Sequence, residues 1–282
     1  MKCLIYRKKF VRNYGCSCVI ILSMWEAKKM KRRRDYYLFR AIRAIVHLFY
    51  PAVEIENIEN LPKMDAVVVA NHCQMNGPIC SELFLPKNCY TWCAGQMMNL
   101  KEVPDYAYED FWSGKSEILR PFYKILSYII APISVCVFNN ARTIGVYHDM
   151  RSLSTFKSSV RMLDEGKNIV IFPEKNEAFN NIVFMFQEKF VDIARLYYKK
   201  YNKELSFVPM YIAPKLKKMY VGKPVRFDNT NDIKSERNRI CTYLMDEITS
   251  MAVNLPEHTV IPYPNISKNR YLTNKNVNEV PR

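Results

Sequence analysis

The run Ala66-Val67-Val68-Val69-Ala70, bounded by Asp65 and Asn71, restricts the fold more than any other feature of the chain. An unbroken β-branched stretch has no polar face to offer water, so it predicts a fully buried, parallel strand covered on both sides by helices. Similar buried strands are predicted at residues 134–138, 168–172 and 206–212, with helical patterns between them at residues 152–165 and 183–200. Strand alternating with helix predicts an α/β domain, a mixed, largely parallel sheet flanked by helices. After Pro51, residues 53–58 alternate as a half-buried strand. Residues 220–225 read as a late edge strand, since Gly222 and Pro224 sit poorly inside a sheet. A last helix is predicted over residues 233–253, and the Asn- and Pro-containing sequence after it reads as a tail.

A chain of 282 residues, 49% of them hydrophobic, can bury a large core. The predicted organisation is a basic N-terminal segment with an amphipathic helix (1–50), an α/β domain (51–255) and a C-terminal tail (256–282). Within residues 36–50, Leu38, Ile42, Ile45, Val46 and Phe49 recur at helical spacing away from Arg40 and Arg43. Core packing and a membrane-facing role both fit that helix. The uncharged stretch from Asn13 to Trp25 is short of the roughly 20 residues a spanning helix needs, and no cleavage pattern follows it. Met24 and Met30 are alternative starts. Residues 121–138 are the most hydrophobic stretch of the body, yet Lys124, Pro132 and a helix-then-strand pattern argue against a span; core packing and an acyl channel are the readings left.

The net charge of +15 calls for an acidic partner or surface. Residues 1–34 hold eleven Lys/Arg against one Glu, including the run from Lys28 to Arg34, and these adjoin apolar sequence. Basic next to apolar points to a membrane surface, at its cytoplasmic face, with a peripheral or monotopic attachment. No nucleic-acid-binding signature accompanies the charge, so nucleic acid is not an expected partner. The nine cysteines show no CxxC pairing, which predicts reduced thiols. Cys89 and Cys93 have no second pair at zinc-ligand spacing, so they read as small buried hydrophobes and no metal is expected.

The buried strand delivers Asn71 and His72 to its carboxyl end, where ligands bind in open α/β sheets, and Pro78 suits the first turn of a following helix. A second buried strand ends in Phe172-Pro173-Glu174 and brings another polar group to the same edge. With Asn71-His72, three further segments follow in order: Thr143–Met150, Ile171–Glu174 and Phe207–Ile212. Together they resemble the blocks of the 1-acylglycerol-3-phosphate acyltransferase (lysophosphatidic acid acyltransferase-like) superfamily: Asn-His with an Asp five residues after the His, a second block, Phe-Pro-Glu-Gly and Val-Pro. Tyr220–Val225 resembles the family's closing strand, so the likeness runs from about Ile55 to Phe227.

That resemblance implies a glycerolipid acyltransferase-like fold and a role in phospholipid biosynthesis. The reaction it implies carries a fatty acyl group from acyl-CoA or acyl-carrier protein to a hydroxyl of a glycerolipid acceptor, with no bound cofactor. His72 would be the general base, and first-turn N–H groups near Pro78 the place to look for an oxyanion site. Departures fall on the chemistry. Gly77 stands where the family has Asp, leaving Asn76 or Glu82 as substitutes to orient His72. His148 stands where the second block usually has Arg, and Lys175-Asn176-Glu177 replaces Gly-Thr-Arg. Arg142, Arg151 and Lys175, with His148 and Glu174, remain as candidate substrate-binding residues. A non-catalytic lipid- or acyl-binding protein on the same fold is the alternative.

Overall fold

The structure, a computed structural model, describes Met30, residues 32–114 and residues 116–277. The apolar segment at residues 17–25 and Lys28, Lys29 and Lys31 of the basic run lie outside the described residues. The chain divides into compact units between Val46 and His47. Residues 32–49 are helical (α1), and Leu38, Ile45, Leu48 and Phe49 of this helix are exposed.

The body is built on an eight-stranded sheet in the order β1-β9-β8-β2-β5-β3-β4, with β10 pairing β8. Its strands are β1 (Glu54–Glu56), β2 (Ala66–Ala70), β3 (Cys89–Ala94), β4 (Thr143–Val146), β5 (Asn168–Ile171), β8 (Ser206–Ala213), β9 (Lys218–Val221) and β10 (Val225–Arg226). All pairings are parallel except those of β8 with β9 and β10. β2 runs between β5 and β8 as the valine run requires. Val67 and Val69 pack on one face with β5 and β8 against helices α5 (Ser152–Asp164), α6 (Asp192–Tyr201) and α7 (Ile233–Asn254). Ala66, Val68 and Ala70 pack on the other with Cys80 of α2 (Asn76–Phe84). Burying each such valine contributes about 1.5–3 kcal/mol, enough to fix this strand at the centre.

The structure corrects several of the sequence expectations. Residues 134–138 are not a strand: they lie within a single helix, α4 (Arg120–Asn140). Pro132 lies on the exposed side of this helix, and the helix continues through it. The argument against a span in this region therefore loses its helix-then-strand support, and residues Glu117–Asn140 are long and apolar enough to cross a membrane by length and composition. Residues 183–200 are helical only from Glu188, first as a 3-10 turn (Glu188–Val191) and then as α6; Phe184–Phe186 forms β7, antiparallel to β6 (Glu174–Ala178). The edge strand expected at residues 220–225 is split: Tyr220 and Val221 lie in β9, which β1 joins in parallel, while Val225 lies in β10, which pairs β8 alone among the described strands. Pro209, at the centre of β8, has no N–H to give on that side, and the chain opposite it, Gly222–Pro224, is the gap between β9 and β10.

The tail expected after α7 is ordered as far as it is described, and it forms a strap over the sheet. Asn274, fully buried, donates to the carbonyls of Ala252 (2.8 Å) and Leu255 (3.2 Å) at the end of α7 and accepts from His258 N–H at 2.8 Å. His258 pairs with the Tyr211 hydroxyl at 2.8 Å, and Thr259 bridges Thr273. Asn274→Ala removes the side chain that ties the strap to α7 and strands buried partners. A loss of about 2 kcal/mol is expected in urea unfolding, and an unchanged midpoint would show that the strap is held elsewhere.

Candidate functional site

Asn71 ends β2 and welds it to β8: its Oδ1 accepts from Ile212 N–H at 2.7 Å, and its Nδ2 donates to the Ile212 carbonyl at 3.1 Å and to Cys73 Sγ at 2.8 Å. The chain then turns sharply. Cys73 and Gln74 both take left-handed conformations, with φ of 48° and 55°. Such residues cost about 1–2 kcal/mol each, so the turn persists because its surroundings over-determine it. Gln74 Nε2 donates to the strap, to the Tyr271 hydroxyl at 2.9 Å and the Pro264 carbonyl at 3.3 Å.

His72 sits on this turn, between the rings of Phe172 (5.2 Å between centroids) and Tyr263 (5.4 Å). Its Nδ1 is buried without a hydrogen-bond partner, which leaves Nε2 as the nitrogen able to meet a substrate. Burial lowers the imidazole pKa from its usual 6.5, and nearby carbonyls of Gln74 and His72 oppose this only in part. The ring is therefore neutral at pH 7. Among the described residues no side chain is hydrogen-bonded to it.

The sequence-predicted partners are engaged elsewhere. Glu174, the first residue of β6, is buried; one carboxylate oxygen accepts the backbone N–H of His72 and the other that of Phe184 at 2.8 Å. It orients the turn rather than the imidazole. Asn76 does not orient the ring either: its Oδ1 accepts from the Tyr50 hydroxyl at 2.8 Å and its Nδ2 donates to the Cys73 carbonyl at 3.0 Å. Glu82 accepts from the Arg142 side chain at 3.3 Å. The first-turn N–H groups of α2 are also taken, Asn76 by Cys73, Gly77 by His72 and Ile79 by Met75, so they are not a free oxyanion site.

The backbone around Gly77 leaves no room for a side chain. A Cβ there would overlap the His72 carbonyl oxygen and come within 2.8 Å of Phe172 Cε1. The turn has closed on the space a side chain would occupy.

Two of the candidate phosphate-binding cations, Arg142 and Arg151, are engaged with protein partners. Arg142 caps the end of α2, donating to the carbonyls of Pro86 (2.6 Å), Leu85 and Ser81 (3.4 Å each) and Glu82. Arg151 holds Glu102 (2.9 Å) and Asp149 (2.7 Å) while lying 4.0 Å over the Tyr147 ring. His148 is exposed beyond β4, and Lys175 is within electrostatic reach of Cys241 on α7. Of the sequence-predicted residues, then, the structure brings His72, Glu174 and Asn76 together and leaves Arg142, Arg151, His148 and Lys175 outside that cluster. Tyr263 and Gln74 were missed. The prolines on either side of Tyr263 were the available signal, since they stiffen a segment otherwise read as tail.

The cysteines lie where a buried-hydrophobe reading puts them. Among the described residues, Cys73, Cys80, Cys89, Cys136 and Cys241 are buried and Cys93 is half-buried.

No protein-family model matches the chain, and no curated protein does. Among solved structures, the chain is similar to the crystal structure of the 1-acyl-sn-glycerophosphate (LPA) acyltransferase, PlsC, from Thermotoga maritima. It is 14% identical, the match covers 83% of this chain and 84% of that chain, and the TM-score is 0.44.

Two predictions test this geometry. Gly77→Asp, which would restore the expected acid by sequence, should instead cost about 3 kcal/mol or more through overlap and a buried charge; a variant as stable as wild type by thermal melt would disprove the closed turn. Burial pushes the Glu174 carboxyl from 4.5 up to about 7, against the His72 and Phe184 N–H groups that pull it down. The folded state then holds this proton more tightly than the unfolded chain. Its contribution is full below pH 4.5 and is lost as pH rises through 7, a fall on the order of 3 kcal/mol. Unfolding free energies measured across this range should show that fall in wild type and not in Glu174→Gln; parallel curves would refute it.

Proposed function

We propose that the chain is a divergent member of the lysophosphatidic acid acyltransferase-like superfamily. On this reading it works at the cytoplasmic face of a membrane and transfers a fatty acyl group from acyl-CoA or acyl-carrier protein to a hydroxyl of a glycerolipid-like acceptor. The observation that carries this is the bond from His72 N–H to Glu174, which joins the Asn-His and Phe-Pro-Glu segments at one carboxyl edge of the sheet. His72 Nε2 takes the proton of the acceptor hydroxyl as its oxygen attacks the thioester carbonyl. The C–S bond then breaks, and the imidazolium returns the proton to the departing thiolate. Without a carboxylate on Nδ1 the imidazolium is less stabilised than in an Asp–His pair, so turnover is slow. With Arg142 and Arg151 committed to protein partners, the acceptor in this reading carries no phosphomonoester.

Gly77 supports a second reading, a lipid- or acyl-binding protein without turnover, because the closed turn has no room for the acid. One experiment separates them. Purified wild type and His72→Ala are supplied with acyl-CoA and a panel of lysolipids and glycosylated or other uncharged acceptors, and the lipid products are analysed by mass spectrometry. Acyl transfer by wild type, reduced about 100-fold or more in His72→Ala, with an acid limb below pH 6.5, is the expected result. Equal turnover by both forms, or none by either, removes the enzyme reading.

A further inference from the structure

Helix α4 is turned inside out for a protein in water. Its side against the body carries small residues, with Ser127, Ala131, Ser134 and Cys136 buried. Ala131 packs with Met97, Val103 and Ala107, the last two from helix α3 (Val103–Trp112). The serines are satisfied there: Ser134 donates to the Met97 carbonyl at 3.0 Å and Ser127 to the Lys124 carbonyl at 2.7 Å. The large apolar residues point outward. Ile118 just before the helix is 89% exposed, and Phe122, Ile125, Tyr128, Ile129 and Ile133 are 51–67% exposed. They recur at spacings of three and four, so they form one continuous ridge. Only 22% of the helix's apolar window is buried.

We propose that this ridge is a membrane-insertion surface, with α4 lying in the plane of one bilayer leaflet. A span is disfavoured because the small-residue side is fastened to the body along the helix. The chain also enters β4 directly after Ala141 and Arg142, so the C-terminal end of α4 stays with the sheet. The ridge itself carries no charge. Aromatic residues with a polar edge flank it, Trp112 stacking on Tyr123 at 5.8 Å and Tyr128 lying on the ridge, as at a membrane–water interface. Arg120 and Lys124 leave the ridge on the body side, both over the Tyr108 ring, where cations meet headgroups while the apolar residues enter the acyl layer. The net charge of +15 complements an anionic lipid surface. The proposal does not depend on the acyl-transfer reading, since an inert protein with this ridge would bind bilayers equally well.

The test uses the full chain and vesicles of phosphatidylcholine with phosphatidylglycerol, without any acyl donor. Wild type should co-sediment with the vesicles, and Ile125→Glu/Ile129→Glu should partition at least about tenfold more weakly. Leu153→Glu, an exposed apolar position on α5, should partition as wild type does. Both replaced isoleucines are exposed, so the melting curve should be unchanged. As an independent reading, Ile129→Trp should gain fluorescence that acyl-chain-brominated lipid quenches. Undiminished partitioning of the double variant overturns the proposal. So does a lipid-free wild-type oligomer, by light scattering, that the double variant dissociates, for then a second copy covers the ridge.

Discussion

The carboxylate of Glu174 is the joint on which the candidate site depends. It receives one N–H from the turn that carries His72 and another from Phe184 in β7, so a single buried acid holds the end of β2 to the hairpin after β5. Without it, two buried backbone donors would be left unpaired beneath the histidine. Because β2 and β5 are adjacent and parallel, both chains leave the sheet at the same edge, which brings Glu174 within hydrogen-bond reach of the turn. That geometry explains an acid spaced far from His72 in sequence that supports it without touching its ring.

The same joint bears on the closed space beside Gly77. A turn held by Glu174 from below, by Asn71 from β8 and by Gln74 from the strap has little freedom to open. Gly77 donates its N–H to the His72 carbonyl across the narrowest part. The glycine is thus part of a locally consistent arrangement in which the backbone occupies the place of a side chain. Restoring an acid by one substitution would oppose several contacts at once.

Much of the sheet was legible in the sequence because its central strands are unbroken β-branched runs that no other element accommodates: β2 falls at Ala66–Ala70 as expected, and β5 and β8 within a residue or so. Residues 134–138 misled for the same reason. Ile133, Val135 and Val137 give a strand-like run, but twenty-one residues of continuous helix override local β propensity, and the small residues among them mark the buried side. β3 was hidden because Cys89–Ala94 mixes Cys, Tyr, Thr and Trp and was weighed only for metal binding. In the site, His72 and Glu174 were visible as residues that end buried strands. The roles of Asn76, Arg142 and Arg151 were not, because which carbonyls and carboxylates a side chain meets depends on turns and helix ends that periodicity does not describe. Tyr263 was invisible for a related reason: its contact with His72 spans most of the chain.

The surroundings of His72 limit the chemistry it can take part in. Phe172 and Tyr263 flank the imidazole, and burial keeps it neutral. A neutral, desolvated imidazole is a competent proton acceptor but a poor host for the positive charge it then acquires. The guanidinium groups nearest in sequence to the second block neutralise Glu82, Asp149 and Glu102 instead of facing the ring. An anionic headgroup entering here would meet aromatic rings and no free arginine from that block. The surroundings of His72 are thus aromatic, with the Arg142 and Arg151 guanidinium groups held by other protein partners.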